Sequence, residues 1–254
     1  MRLRLRRDSG IGIGRTALDV RRALLLRRGR TFTFAALLLG PAAPTAHAQL
    51  GASIAVDSDY RFRGVILSES GPTARAAFNY DAANGCYGGA SVTSLEVAQG
   101  DRYLQTIGYA GCAIPAGVGK HVESGLAVLH FSGGSGYNFA EGYVGLLAEG
   151  WAARIHFAPD YFGRGVSTVY AELDAHTLLD EQFRLFGHVG AIVRVAGDGG
   201  GESRSRADLR LGVGWVMRGL DLQLAWIAAS RGGPYPAVYD KPRSAWVASA
   251  SYSF

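Results

Sequence analysis

The last stretch of the chain, SAWVASASYSF, alternates large or apolar residues with small or polar ones. Trp246, Tyr252 and Phe254 share one parity, and the serines share the other. Because successive side chains of a β-strand point to opposite faces, this pattern predicts a strand with one apolar face. A terminal Phe gains nothing from exposure to water, so we expect the strand to be held in a larger sheet and buried on its aromatic side.

Similar alternation along the chain predicts twelve strands. In 205–217, Leu209, Leu211 and Trp215 lie on one face while Arg206 and Arg210 lie on the other. The predicted strands have about the 9–11 residues that cross a bilayer at a tilt, or slightly more. They span 52–63, 72–81, 86–97, 102–113, 119–131, 138–148, 151–161, 166–176, 183–195, 205–217, 220–229 and 244–254.

The connections between these strands alternate in length. Most even-numbered turns are tight, as in AANG, EG and RG, whereas odd-numbered loops include GVILSESG and SRGGPYPAVYDKPR. The short odd-numbered loops AQGD and FGRG fit this trend poorly. Short turns on one side and longer loops on the other are typical of membrane barrels, and closure removes strand edges. We therefore predict an all-β fold, a transmembrane antiparallel up-and-down β-barrel of 12 strands, with a glycine-rich soluble sandwich as the alternative.

The beginning of the chain is typical of an exported protein. An arginine-rich region is followed by a short apolar run and by Ala46-His47-Ala48. This order predicts a signal peptide over 1–48, cleaved after about Ala48, and a barrel over 49–254. The apolar run is shorter than the roughly 20 residues of a spanning helix, which disfavours a membrane anchor.

Removal of the leader reverses the sign of the charge. Ten of the 26 Lys and Arg residues lie in 1–48, as do two of the 21 Asp and Glu residues, which leaves a formal charge of −3. The basicity that a nucleic-acid-binding protein would need therefore disappears, and we expect no nucleic-acid partner.

Cys86 and Cys112 are the two cysteines of the chain. They are nearly equidistant from the predicted turn at Gln99-Gly100, so we expect them to face each other across a hairpin. Export permits a disulfide between them. Two buried free thiols are the alternative.

Charged residues follow the inward parity of the predicted strands. A charge that faces lipid at mid-depth costs about 2–4 kcal/mol for Arg or Lys, so placement of the charges on one face is what a barrel requires. We expect arginines of strands 9, 10, 1 and 2 to face an acidic wall on strands 7 and 8, with a mild preference for anions at the outer mouth. Glu123 and Glu141 add to that wall if their side chains share the inward parity. The candidate pore-lining residues are Arg61, Arg63, Arg75, Arg154, Glu172, Asp174, Arg184, Arg194, Arg206, Asp208 and Arg210, and Asp57, Asp59, Asp160 and Asp221 share their parity.

The sequence motifs that could indicate catalysis or metal binding are weak. His130, Ser132 and Asn138 lie in HFSGGSGYN and loosely resemble the His-x-Ser of outer-membrane phospholipases, but Ser, Gly and Asn are ordinary loop residues. The stretch GDGGG lacks the ladder of Asp ligands that calcium requires. His156 and His188 are expected to be hydrogen-bonded lining residues. We predict no enzyme activity, no catalytic residue, no metal and no cofactor.

The layout of the strands resembles that of a known family. The stretch Asp57–Tyr80 contains the pattern S-x-Y-x-F-R-G followed by Gly-Pro, and Asn138–Gly190 is similar over a longer stretch. Both resemble the TorF family, proteobacterial outer-membrane proteins classed as porins without an agreed substrate. The features that match are Glu141, Tyr143, Asp160-Tyr161-Phe162-Gly163, Tyr170, Glu172, Leu173 and His188-Val189-Gly190.

The resemblance and the strand pattern together indicate a barrel in the cell outer membrane that admits small hydrophilic solutes by passive diffusion. The alternatives are a lipid-modifying barrel enzyme and a plugged structural or adhesive barrel. Tyr252 and Phe254 resemble the terminal signal that bacterial barrels present to the barrel-assembly machinery. The expected partners are that machinery, outer-membrane lipid and the solutes.

Overall fold

The computed structural model describes residues 49–68, 71–96, 102–133, 135–198, 203–235 and 243–254. The predicted signal peptide lies outside the described residues. Strands dominate, with short 3-10 turns at Ser135–Tyr137 and Tyr161–Gly163. No helix among the described residues is long and apolar enough to cross a membrane. The strands are β1 Gln49–Asp57, β2 Arg61–Phe62, β3 Val65–Ile66, β4 Thr73–Asp81, β5 Cys86–Glu96, β6 Arg102–Pro115, β7 Lys120–Phe131, β8 Phe139–Ala148, β9 Trp151–Ala158, β10 Ser167–Leu178, β11 Phe183–Ala196, β12 Ser205–Met217, β13 Leu220–Ala229 and β14 Arg243–Ser253.

Twelve of these strands form one closed antiparallel barrel, as predicted. Each strand pairs with its neighbours in the chain, and β1 closes the ring by pairing with β14, from Ser53 opposite Ser253 to Asp57 opposite Ser249. The remaining two strands, β2 and β3, form a separate hairpin. The up-and-down order therefore leaves no unpaired sheet edge in the barrel.

Two predicted strand ends are wrong. The first strand ends at Asp57 rather than at residue 63, because the chain leaves the wall and turns into the barrel at Ser58. The strand predicted over 151–161 ends at Ala158, and Tyr161 belongs to a 3-10 turn and is fully buried. In both places, the alternation of polar and apolar residues in the sequence continues beyond the last residue that pairs in the barrel, so the predicted strand is too long.

The wall has an apolar exterior and a polar interior. Large apolar side chains such as Leu126, Ile155 and Trp246 are exposed on the outside, whereas Arg154 and Asp221 are buried inside. An exterior band of this kind would be unfavourable in water and matches the lipid-facing surface of membrane barrels.

The two ends of the barrel differ. At the turn end, tight connections join the strands, for example at 149–150 and 218–219. In the turn 179–182, the backbone N–H groups of Phe183 and Gln182 donate to Asp180 Oδ1, both over 2.7 Å, and hold the pKa of this carboxyl below its usual range. At the opposite, loop end, the connections are longer and several fold inward.

Inward tyrosines lie against glycines of neighbouring strands. A Cβ atom at Gly125 would overlap the Tyr143 hydroxyl and the backbone oxygen of Ala110, and one at Gly190 would overlap the Tyr170 ring. These glycines let the large side chains lie along the wall, which explains part of the high glycine content of the chain.

The wall packing predicts a position-specific effect of glycine replacement. Gly125→Ala should destabilise the barrel by about 1–3 kcal/mol, because Tyr143 and backbone must move to admit a methyl group. The measurement is urea unfolding of the protein refolded in lipid vesicles. Gly108→Ala is the matched control, since a Cβ there meets no atom within 4 Å. Equal effects of the two substitutions would contradict this account.

Cys86 and Cys112 form a disulfide between β5 and β6, in directly opposed positions, as predicted. We expect alkylation of the denatured, non-reduced protein to label no cysteine, and alkylation after reduction to label both. Labelling of two thiols without reduction would contradict the bond.

Candidate functional site

The candidate site is the barrel interior, and the chain enters it just after β1. Residues 58–68, which we call the inward segment, contain the β2–β3 hairpin, and Tyr60, Phe62, Arg63 and Val65 within it are buried. Arg63 and Gly64 form the two-residue turn with φ of 49° and 74°, the left-handed values of a tight hairpin. A Cβ at Gly64 would lie 2.8 Å from the Cβ atoms of Asp208 and Ala229, so only glycine lets the tip approach this wall.

Ser58, at the start of the inward segment, is hydrogen-bonded to Ala248 of β14. Beyond it, three hydrogen bonds anchor the segment to three other strands. Tyr60 Oη donates to Gln105 Oε1 of β6 over 2.8 Å. Arg63 Nη2 donates to Glu141 Oε1 of β8 over 2.7 Å, and Arg206 Nη2 of β12 donates to the Gly64 carbonyl over 3.0 Å. The segment therefore crosses the lumen instead of lining one side of it.

A continuous chain of polar contacts extends from Arg63 along the opposite wall. We call it the ion-pair chain, and its members are Arg63, Glu141, His156, Glu172, Arg154, Glu123, Tyr87 and Tyr143.

The ion-pair chain pairs charges that are buried in the barrel interior. His156 contacts Glu141 through Nδ1 at 3.0 Å and Glu172 through Nε2 at 3.3 Å. Arg154 donates to Glu123 over 2.5 Å, and Glu123 also accepts from Tyr87 over 2.5 Å. Buried charges are tolerated only when paired in this way.

A second cluster surrounds His188. Its Nδ1 lies 2.7 Å from Asp174 Oδ1 and its Nε2 lies 3.0 Å from Asp208 Oδ1. Ligand atoms of Glu172, Asp174 and His188 lie within 4.8 Å of one another, a spacing that a metal ion can occupy. Each ring nitrogen of His188 already has a carboxylate partner, so the hydrogen bonds account for this cluster without an ion.

The other candidate lining residues lie around the same interior. Arg184 donates to Asp221 over 2.5 Å, and Arg210 donates to Gln223 over 2.8 Å. Arg61 pairs with Asp59 within the inward segment, and Arg75 lies 3.3 Å from Asp57. Arg194 is half-buried near the loop end, whereas Asp160 is exposed there and its Oδ1 accepts from the Gly165 N–H.

Aromatic side chains fill the loop end beside the inward segment. The ring centroid of Phe139 lies 4.8 Å from that of Tyr161 and 5.0 Å from that of Phe162, and Tyr161 Oη lies 3.2 Å from Tyr235 Oη. This aromatic cluster leaves the free space on the other side of the hairpin.

That free space is a cavity of about 160 Å³. Its charged lining comprises Arg61, Arg63, Arg75, Arg210, Asp57, Asp59, Glu172, Asp174, Asp208 and His188. Four arginines and five carboxylates nearly cancel, so the cavity is lined by many charged groups but is close to neutral. The local pairing differs from the expected arrangement of a basic wall that faces an acidic one.

The strand pattern gave only a conditional inward position for Glu123 and Glu141. In the structure, both side chains are among the most deeply buried in the barrel. The lumenal roles of Tyr60, Tyr87 and Tyr170 were missed. Alternation along β5 and β10 could have placed Tyr87 and Tyr170 on the inner face. Tyrosine is also common in the lipid-facing aromatic belt, so its presence alone does not indicate a lumenal position.

The residues considered for lipid chemistry have structural roles. Ser132 Oγ accepts from the Leu104 N–H over 2.8 Å, and Asn138 Oδ1 accepts from the Phe131 N–H over 2.8 Å. His130 is exposed. The Ser and Asn side chains thus complete the backbone hydrogen bonding of strand ends.

Comparison with known proteins identifies a class and then a family. The fold is that of porin barrels: the KdgM porin has a TM-score of 0.52 at 13% identity, with 80% of this chain and 99% of that chain covered. The NanC porin has a TM-score of 0.54 at 10% identity, with 79% and 98% covered. Residues 41–254 match the family described as "Bacterial protein of unknown function (Gcw_chp)", and the chain belongs to that family. No curated protein sequence matches the chain.

Removal of Arg154 should be costly. Arg154→Ala leaves Glu123 and Glu172 buried without their cation, and we expect a loss of about 3–5 kcal/mol in the free energy of unfolding. Urea unfolding in vesicles measures the effect. Arg231→Ala, at an exposed position, is the control and should change little. An additional Glu123→Gln substitution should recover part of the loss, and its failure to do so would contradict the assigned pairing.

Proposed function

We propose that this protein is an outer-membrane porin that admits small hydrophilic solutes by passive diffusion and that the inward segment restricts its lumen. The observation that carries the proposal is the charged cavity inside a closed barrel with an apolar exterior. Polar walls replace part of the hydration of a solute, whereas a purely structural barrel gains nothing from enclosing such a cavity.

The porin fold of KdgM and NanC supports this proposal at the level of architecture. KdgM has also been described in complex with disordered oligogalacturonate, a hydrophilic solute of that protein. For the present chain, the near balance of arginines and carboxylates in the cavity favours weak selectivity between anions and cations rather than a strong preference for polyanions.

The route to the membrane is part of the same proposal. A signal peptide over 1–48 would direct export, and Tyr252 and Phe254 would be recognised by the barrel-assembly machinery. Their exposed, mutually packed rings, with centroids 5.1 Å apart, are available for such recognition. The resemblance to the TorF family fits this assignment, and no enzymatic step is part of it.

A closed structural barrel is the second candidate, favoured by the anchors of the inward segment and by the aromatic cluster at the loop end. The two functions differ in one respect. In a porin the inward segment restricts an existing path, whereas in a structural barrel its removal exposes no continuous path.

Single-channel recording separates the two functions. We expect small conductance steps from the native protein, and a several-fold increase when residues 60–67 are replaced by a short Gly-Ser connection, because the lumen is then no longer crossed. Replacement of the turn 116–119 by Gly-Ser residues is the control and should leave conductance unchanged, since this turn lies at the opposite end. Absence of steps from both the native and the shortened protein would contradict the porin function.

A further inference from the structure

The Arg63 guanidinium lies between a carboxylate and two aromatic rings. The guanidinium carbon lies 4.3 Å from the ring centroid of Tyr170 and 5.9 Å from that of Tyr161, and the group pairs with Glu141. We call Glu141, Tyr161 and Tyr170 the cation cage. A carboxylate and aromatic faces around one buried position are a recognised solution for binding organic cations.

The cation cage is held in place by contacts that do not involve Arg63. Glu141 is positioned by His156, Tyr170 Oη lies 3.0 Å from His188 Nε2, and Tyr161 packs against Phe139 and Tyr235. All three cage residues come from the wall or from a loop other than the inward segment. The cage is therefore expected to persist when the segment moves away.

Glu141 has unused binding capacity. Its Oε1 accepts from Arg63 and contacts His156, whereas its Oε2 is buried and has no hydrogen-bond partner among the described residues. A guanidinium group binds a carboxylate best through two parallel hydrogen bonds, which engage both oxygens. Arg63 instead donates from Nη2 to Oε1, the oxygen that His156 also contacts.

Electrostatics favours a cation over any other occupant. Around the cage, Glu123, Glu141 and Glu172 face Arg154 and Arg63, with His156 between two of the carboxylates. Without Arg63, three buried carboxylates would share Arg154 and the His156 imidazole, which contacts Glu141 and Glu172 through its two ring nitrogens. An anionic or neutral solute does not restore that balance.

We propose that Arg63 occupies, within its own chain, a site that also accepts a guanidinium-bearing solute, and that such a solute competes with Arg63 and releases the inward segment. The binding site itself stands independently of conduction, whereas release of the segment as a step in permeation rests on the proposed function. The ligand class is a small organic cation with a planar guanidinium, which satisfies both oxygens of Glu141 while it stacks on Tyr170.

The experiment removes the Arg63 side chain from the cation cage and then adds a small cation that can bind in its place. Arg63→Ala is refolded in detergent, and thermal unfolding is followed with methylguanidinium chloride or with methylammonium chloride at equal ionic strength. We expect methylguanidinium to stabilise this variant with a half-saturating concentration roughly tenfold lower than that of methylammonium, about the gain from one additional charge-assisted hydrogen bond. The native protein, whose cage is occupied, should respond much less.

Two controls assign the effect to the cage. Arg61→Ala removes an arginine from the same segment but leaves Arg63 with Glu141, so methylguanidinium should not stabilise it preferentially. Arg63→Ala combined with Glu141→Gln removes the carboxylate and should abolish the preference. An equal response to both cations, or a response that survives Glu141→Gln, would overturn the proposal.

Arg63→Gln is the second variant in case Arg63→Ala does not fold, because it retains most of the side-chain length without the charge. Folding that depends on methylguanidinium supports the site. Failure of both variants to fold even with methylguanidinium counts against it, since a site open to free ligand should be rescued. These readouts do not use conduction, so a silent channel would contradict the proposed function without affecting this test.

Discussion

The structure depends on one constraint: every charge on the inner face of the closed wall must find its partner inside the barrel. Arg154 illustrates it, since Glu123 and Glu172 approach it from strands on either side of β9. Removal of a charge from water costs several kcal/mol, which only close ion pairs with further hydrogen bonds offset. The inward segment follows the same constraint, because the Arg63 guanidinium at its tip pairs with Glu141 of the wall.

The sequence predicts the wall well because two strong local signals coincide in it. Period-two alternation defines the strand, and tight Gly-containing turns define its end, so β12 and β13 have the predicted bounds. The first strand was extended too far because Asp57, Asp59, Arg61 and Arg63 continue the alternation after the backbone has left the wall. Alternation shows which side chains of an extended segment share a face. It does not show whether that segment is still part of the barrel wall.

The pairing of charged side chains inside the barrel could not be predicted from the sequence, for a related reason. Which residues meet across strands depends on their stagger around the ring, which no single strand encodes. Arg63 and Glu141 are 78 positions apart in the chain, and they meet because a hairpin turns inward. The expected basic and acidic walls treated charges as fixed to their strands, whereas long arginine side chains and the inward segment bring opposite charges together locally.

Local pairing also changes what determines selectivity in such a barrel. In a wide pore, the summed field of the lining selects ions, and balanced charges would imply little discrimination. Where a segment of the chain crosses the lumen through replaceable ion pairs, selectivity depends instead on which solute can replace the intramolecular partner. Specificity is a difference between affinities, and in the proposed exchange the competitor is the Arg63 guanidinium of the chain itself. On the proposed function and the proposed exchange at Arg63, a nearly neutral cavity can therefore discriminate strongly among cations of equal charge, because the cation cage would respond to the shape of the group and the number of its hydrogen-bond donors.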